Sequence, residues 1–381
     1  MAKHTVRSLP FVNTNDPDTG ARVTRLTPPD ITCHRNYFYQ KCFTRDGQRL
    51  IFGADFDNGP NWPHWHYHLL DLASHTATQL TAGAGENTFG GFLSPDDAHL
   101  YFVRAERLLI RLTLATLQEQ VAYTVPAGWV GYGTWVANSA CTQMVGIEIH
   151  ADDWFALDDW TKFAAMFHAR PRCRLIRIDL ASGARTVIFE RQGWLGHPQF
   201  RPGDDNTVAF CHEGPHELID ARIWFIDQNG ANRRCGRPHA PGESCTHEFW
   251  VPDGSAMVYV SFQHDDPGQP RRICSLNPTT GASTVLTTMP PCSHLMSNHD
   301  GSLIVGDGSG DDPYLHVFDL RPGAAALHQR IARHDSSWRV HKGNRQVTHP
   351  HPAFTTDERA VLFSSDRDGE PALYLAELPA P

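Results

Sequence analysis

The sequence lacks paired cysteines at metal or redox spacing. Its nine cysteines are scattered without a CxxC, and their number is odd, which argues against a disulfide framework or a zinc ribbon. The first 30 residues carry no apolar run of signal-peptide length. No later stretch nears the roughly 20 apolar residues that cross a bilayer. The expectation is a reduced, soluble, cytoplasmic protein with no membrane partner. Positive charge is also scarce. Lys and Arg number 33 against 42 Asp and Glu, a net charge of −9, which speaks against a nucleic-acid partner. That field repels anionic substrates at long range, so local positive groups must hold any such substrate. Neither a GxSxG nucleophile elbow nor a phosphate-cradling glycine motif is present, which disfavours serine peptidase and P-loop chemistry.

What the chain does have is turns and histidine. Glycine and proline number 30 and 27 and are spread along the sequence, 40% of residues are hydrophobic, and histidines reach 23. One pattern recurs seven times: an apolar or aromatic anchor, turn chemistry ending in Asp, Asn or Gly, then a β-rich run. It reads FTRDGQRLIF from Phe43, LSPDDAHLYF from Leu93, WVANSACTQMV from Trp135 and FRPGDDNTVAF from Phe200. WVPDGSAMVYV from Trp250, SNHDGSLIV from Ser297 and FTTDERAVLF from Phe354 complete the set. Asp-Gly and Pro-Asp between strand-like runs are hairpin signals. A second hairpin follows most copies, as in HLLDLASHTATQLT (68–81) and RLIRIDLASGARTVIF (174–189).

Two hairpins make a four-stranded antiparallel blade of propeller size. The last copy supplies only three strands, and ARVTRLT (21–27) resembles the missing fourth. The expectation is an all-β, seven-bladed β-propeller filling 1–381 as a single domain, its ring closed by the N-terminal strand beside the C-terminal blade. Between the third and fourth repeats, DDWTKFAAMFHA puts Trp160, Phe163 and Phe167 on one helical face. This predicts a short helical insertion near 151–170, between those blades. NWPHWHYH (61–68) reads as a blade-edge loop.

Three residues before each anchor stand Gln40, Gly90, Tyr132, His197, His247, His294 and His351. A lone histidine before a strand is usually a hydrogen-bonded turn residue. Four in register in consecutive blades are expected to converge at one end of the channel, while His66, His168 and His299, out of register, read as solvated or structural. His349 and His351 lie at i and i+2, on one face of an extended segment that Pro350 stiffens. Two imidazoles so placed can grip one metal ion. Gln346 can add a carbonyl oxygen, and His294 from the neighbouring blade a third nitrogen. Three nitrogens and an oxygen leave open positions on a six-coordinate ion, which suits Mn or Fe better than a closed structural Zn.

With these residues the chain resembles the oligogalacturonate lyases of pectin-degrading bacteria. The strings carrying the resemblance are LTPPDITCHRNYFYQKCFTRDG (26–47), NTFGGFLSPDD (87–97), VGYGTWVANS (130–139) and GHPQFRPGDDNTVAFCHEGPH (196–216). ESCTHEFWVPDGSAMVYVS (243–261), MPPCSHLMSNHDG (289–301) and RQVTHPHPAFT (345–355) continue it. Departures are confined to loops, at NGPNWPHWHYH (58–68) and after GDGSGDD (306–312). The resemblance implies a seven-bladed propeller whose metal ligands fall on His294, Gln346, His349 and His351, with manganese the usual ion. It places the base on His247 and a substrate arginine on Arg222.

The implied reaction is β-elimination in short α-1,4-linked galacturonate oligomers, chiefly dimers. The partner expected is therefore a small acidic oligosaccharide. Such a reaction needs positive charge aimed at a carboxylate and a base aimed at C5. A neutral imidazole, with a reference pKa of about 6.5, suits the second task. His197, Lys41, Arg35 and His216 are candidate contacts for the second sugar or its carboxylate. Two rival readings are a non-catalytic propeller scaffold and a metal-dependent glycoside hydrolase. No carboxylate pair occupies the register positions to serve as acid and base for the latter.

Overall fold

A computed structural model describes residues 2–57, 64–157, 160–321 and 327–378. Its strands form seven antiparallel sheets, five of four strands and two of five, and the fold is an all-β, seven-bladed propeller.

The turn chemistry seen in the repeats makes the hairpins. In the first repeat Thr44 Oγ1 donates to Asp46 Oδ1 at 2.6 Å, and the same oxygen accepts the Gln48 N–H at 3.0 Å. Gly47 follows at φ 69°, a left-handed position that a β-carbon would strain. Gly254 and Gly301 repeat this at φ 70° and 75°. The strand Arg49–Ala54 behind that turn is buried on both faces after its first residue, whereas the outer strand Arg185–Gln192 is largely exposed. The first of these two strands is therefore enclosed within the fold, and the second meets water.

Two compact units divide the chain. One comprises residues 1–105, 110–120 and 291–381, and the other 106–109 and 121–290. The first carries the closure anticipated from ARVTRLT. Arg22–Arg25 pairs with Ala372–Glu377, with Val23 opposite Ala376 and Arg25 opposite Tyr374. Two further N-terminal strands went unnoticed in the sequence. Val12–Asn15 adds a fifth strand beside Arg22–Arg25, and Val6–Ser8 adds one to the first blade against Thr76–Gln79. Val23, Val305, Leu315, Val361, Phe363 and Tyr374 share one core there. Burying each large apolar side chain in such a core contributes about 1.5–3 kcal/mol.

In the second unit Val145, Ile147, Leu175, Val208 and Phe210 form the corresponding core. The helix is present as Trp160–Ala169. It lies inside the third blade, joining Gln143–His150 to Arg172–Asp179, which pair with each other directly, and not between the third and fourth blades as the repeat spacing suggested. The extra residues link the two hairpins of one blade. Phe163 and Phe167 pack against the core where Met166 is buried, and the Trp160 side chain lies outside the described residues. Of NWPHWHYH, 61–63 also lie outside them, while His66–Asp71 is a strand and not a loop. Its first residue, His66, is buried with Nδ1 3.2 Å from Glu86.

Candidate active site

The register positions share an unusual backbone. In the fourth blade the pairing of Leu195–Arg201 slips between Gly196 and Gln199, and in the fifth that of Glu243–Trp250 slips between Thr246 and Phe249. In the sixth, Cys292–Ser297 slips between Cys292 and Leu295. Each slip leaves one more residue on the inner strand than on its partner, a β-bulge, and each falls on the register histidine. Bulges bend a strand and re-aim one side chain, and they gather beside functional sites. His197, His247 and His351 moreover adopt left-handed φ of 47°, 52° and 48°. That conformation costs a residue with a β-carbon on the order of 1–3 kcal/mol, and surrounding contacts must hold it in place.

In the first unit His294, His349 and His351 converge, with one ligand-capable atom of each lying within 4.8 Å of the others. The His294 and His351 rings are 4.3 Å apart, centre to centre, and His349 is 5.4 Å from His294. Gln346 opens the short turn Gln346–Thr348 that leads into His349. Burial, followed by the neighbouring His294 and Arg345, holds the His349 imidazole well below its ordinary pKa, so it is neutral, as a metal ligand must be. His349 Nδ1 and Gln346 Oε1 are buried with no hydrogen-bond partner among the described residues. Orphaned buried polar atoms of this kind need an explanation. Lone pairs from imidazole and carboxamide, gathered without a proton donor, suit a divalent cation, so these residues fit a metal.

The surroundings were less legible. Trp338, at φ 56°, lies 4.6 Å from the His349 ring and parallel to His294 at 5.9 Å. Tyr37 meets His351 edge-on at 5.1 Å. Asp307, on Leu303–Gly308, accepts from His294 Nδ1 at 2.8 Å. Asp307 lies opposite the bulge that carries His294, a relation that only the pairing of the two strands reveals. Arg35, expected at the sugar, is 1% exposed. Its Nη1 donates to the His351 carbonyl at 2.5 Å and its Nε to the Asn36 carbonyl at 3.1 Å. Lys41 Nζ bonds Asp97 Oδ1 at 2.5 Å and the Ser94 carbonyl at 3.0 Å.

The second unit holds Arg222, 3% exposed. Its Nε and Nη2 grip Glu248 at 2.8 and 3.3 Å, and Nη1 donates to Glu213 Oε1 at 3.0 Å. Glu213 Oε2 lies 3.1 Å from His197 Nε2 and accepts from Cys211 Sγ at 3.6 Å. Burial pushes both carboxyls up, but Arg222 and His197 outweigh it and leave both below the usual range. Arg222 is fixed as a cation in return, held well above its ordinary value by Cys211, Glu213 and Glu248 against the opposing effect of burial. Among the described residues three of its five N–H donors are thus engaged, and one is left on each Nη. His216 is nearby in charge terms: burial and then Arg222 push it down to about 4. Glu213 and Glu248 went unread in the sequence, although each sits within two residues of a histidine in CHEGPH or CTHEFW.

A bladed all-β fold with a buried imidazole cluster that fits a divalent cation, and a buried guanidinium, defines a β-propeller with a candidate metal centre. The family model described as oligogalacturonate lyase matches residues 1–381, and the chain belongs to that family. An oligogalacturonide lyase of Pectobacterium atrosepticum is 58% identical over 100% of this chain and 99% of its own. A solved oligogalacturonate lyase in complex with manganese superposes with a TM-score of 0.94 at 59% identity, covering 100% of this chain and 99% of the other. A second, from Vibrio parahaemolyticus, gives 0.93 at 52% identity over 99% of each. No helix among the described residues is long and apolar enough to cross a membrane.

Proposed function

We propose that the protein is an oligogalacturonate lyase that splits short α-1,4-linked galacturonate oligomers, chiefly dimers, by β-elimination across C4–C5. The products are unsaturated or keto uronates, released during pectin degradation. The observation that carries this reading is the whole-length similarity, 59% identical, to an oligogalacturonate lyase solved with manganese. We place the activity in the cytoplasm, whose reductants suit a chain with nine free cysteines.

The C5 proton is weakly acidic because its neighbour is a carboxylate that already bears charge. Its removal places more charge on those oxygens, so catalysis depends on cationic groups aimed at them. His294, Gln346, His349 and His351 would hold a divalent cation, manganese by the neighbour's precedent, which when bound supplies positive charge to the carboxylate. Arg222 supplies a permanent cation whose orientation is fixed by Glu213 and Glu248 before substrate arrives. An arginine oriented in advance loses less side-chain entropy when it binds a carboxylate. His247 takes the C5 proton, its side chain re-aimed by the bulge. His197, His216 and Lys41 serve the second sugar. Arg35 acts from behind, through the His351 carbonyl.

Digalacturonate and manganese, followed by ultraviolet absorbance, test the reading. Elimination produces an absorbing unsaturated uronate. Release of saturated galacturonate alone would make the protein a hydrolase, and no turnover would favour a binding scaffold.

A further inference from the structure

We propose that Asp307 is a positioning residue of the imidazole cluster, fixing which nitrogen of His294 is offered to a metal and holding the backbone of two ligands. The proposal rests on the reading of that cluster as a divalent-cation site. Asp307 has no exposed surface. Its Oδ1 accepts the His294 backbone N–H at 2.6 Å. Its Oδ2 accepts His294 Nδ1 at 2.8 Å and the His351 backbone N–H at 3.2 Å.

A carboxylate only accepts hydrogen bonds, so Nδ1 of His294 must be the donor. In a neutral imidazole the proton on Nδ1 leaves the lone pair on Nε2. Asp307 thereby selects the tautomer whose free nitrogen is the one it does not itself engage. The same carboxylate pins His351. That residue's left-handed backbone is held on its N–H side by Asp307 and on its carbonyl side by Arg35. Carboxylates bonded to ligating histidines raise ligand basicity and fix ring orientation.

Asp307→Asn keeps the shape but offers one oxygen where two are used. Its amide must then face either the His294 N–H, donor against donor, or Nδ1, which would reverse the tautomer. Manganese titration of metal-free protein by calorimetry should show affinity falling about 10–100-fold, the usual cost of losing such a partner. Turnover should recover towards wild type as manganese is raised, a rescue that general misfolding would not show. Long-range ¹⁵N–¹H spectra of histidine-labelled, metal-free wild type add a test independent of the variant's folding. The His294 signals, assigned by their loss in His294→Gln, should show protonated Nδ1 and bare Nε2. Wild-type protein that binds no manganese would overturn the metal-site reading itself. Wild-type binding with equal affinity in Asp307→Asn, or a His294 proton on Nε2, would overturn the role given to Asp307.

Discussion

The imidazole cluster of one unit and the guanidinium cluster of the other are built on opposite electrostatic plans. In the first, His349 is held uncharged by burial, and buried polar atoms of His349 and Gln346 lack hydrogen-bond partners among the described residues. The second is charged and already paired, with Arg222 locked between Glu213 and Glu248. On the proposed reading, one cluster depends on an ion for its charge. The other carries a permanent charge, and folding must bury three ionised groups to keep it. A site built for an exchangeable ion tolerates loss of a ligand in folding but not in function. A site built from paired charges loses stability as soon as one partner is removed.

The largest expected effects separate chemistry from metal holding. His247→Ala should lower kcat by about 10²–10⁴-fold, the usual contribution of a positioned base, with manganese content unchanged. His349→Ala should lose manganese and turnover together. Since His247 sits at φ 52°, His247→Asn, which tolerates left-handed backbone better, controls for strain and should be equally impaired. Metal loss in either His247 variant would move His247 into the ligand set.

Next in size is stability. Arg222→Leu leaves Glu213 and Glu248 buried without their common cation, and removing one partner of such a group costs about 3–5 kcal/mol. Denaturant unfolding of metal-free protein should show that loss for Arg222→Leu and a much smaller one for His349→Ala. Equal losses would mean that the imidazole cluster is as much a part of the folding core as the ion group.

The contrast also marks how far the sequence could be read. Seven hairpin repeats reported the fold because Asp-Gly turns and alternating strands are local features. The Arg22–Arg25 closure followed from counting strands. The imidazole cluster was legible because His349 and His351 are two residues apart and His294 falls in register. The ion group was not, because Glu213 and Glu248 are recognised as partners only once their strands bring Arg222 between them. Arg35 poses the reverse difficulty: a charged residue beside a recognisable motif looks like a ligand contact, and only the fold shows its Nε and Nη1 turned to backbone carbonyls. The bulges too had no local signal, because a slip in pairing shows only once both strands are aligned.

The smallest effect expected concerns acid, and it sharpens the same comparison. In the first unit burial pushes His34 down to about 4 and His68 to about 3. Each is neutral when folded and takes up a proton near pH 6.5 when unfolded. Below pH 6.5 the unfolded chain therefore binds more protons, and stability falls as pH drops, until the folded pKa is reached. In the second unit the carboxyls of Glu213 and Glu248 lie below their ordinary value. Their contribution is fully present above about pH 4.3 and is lost only as pH falls through the folded values. Mild acid between pH 6.5 and 5 should thus act through the buried histidines of both units, His216 beside Arg222 included, before the carboxyls of Glu213 and Glu248 take up protons. His68 by itself accounts for about 2 kcal/mol over that interval. His68→Phe, set among Phe52 and Phe56, removes the titrating group. It also loses the bond to the His66 carbonyl, but that cost is the same at both pH values and cancels. The fall in melting temperature from pH 7 to pH 5 should therefore be smaller in His68→Phe than in wild type. An unchanged fall would show that His68 has no part in the acid sensitivity.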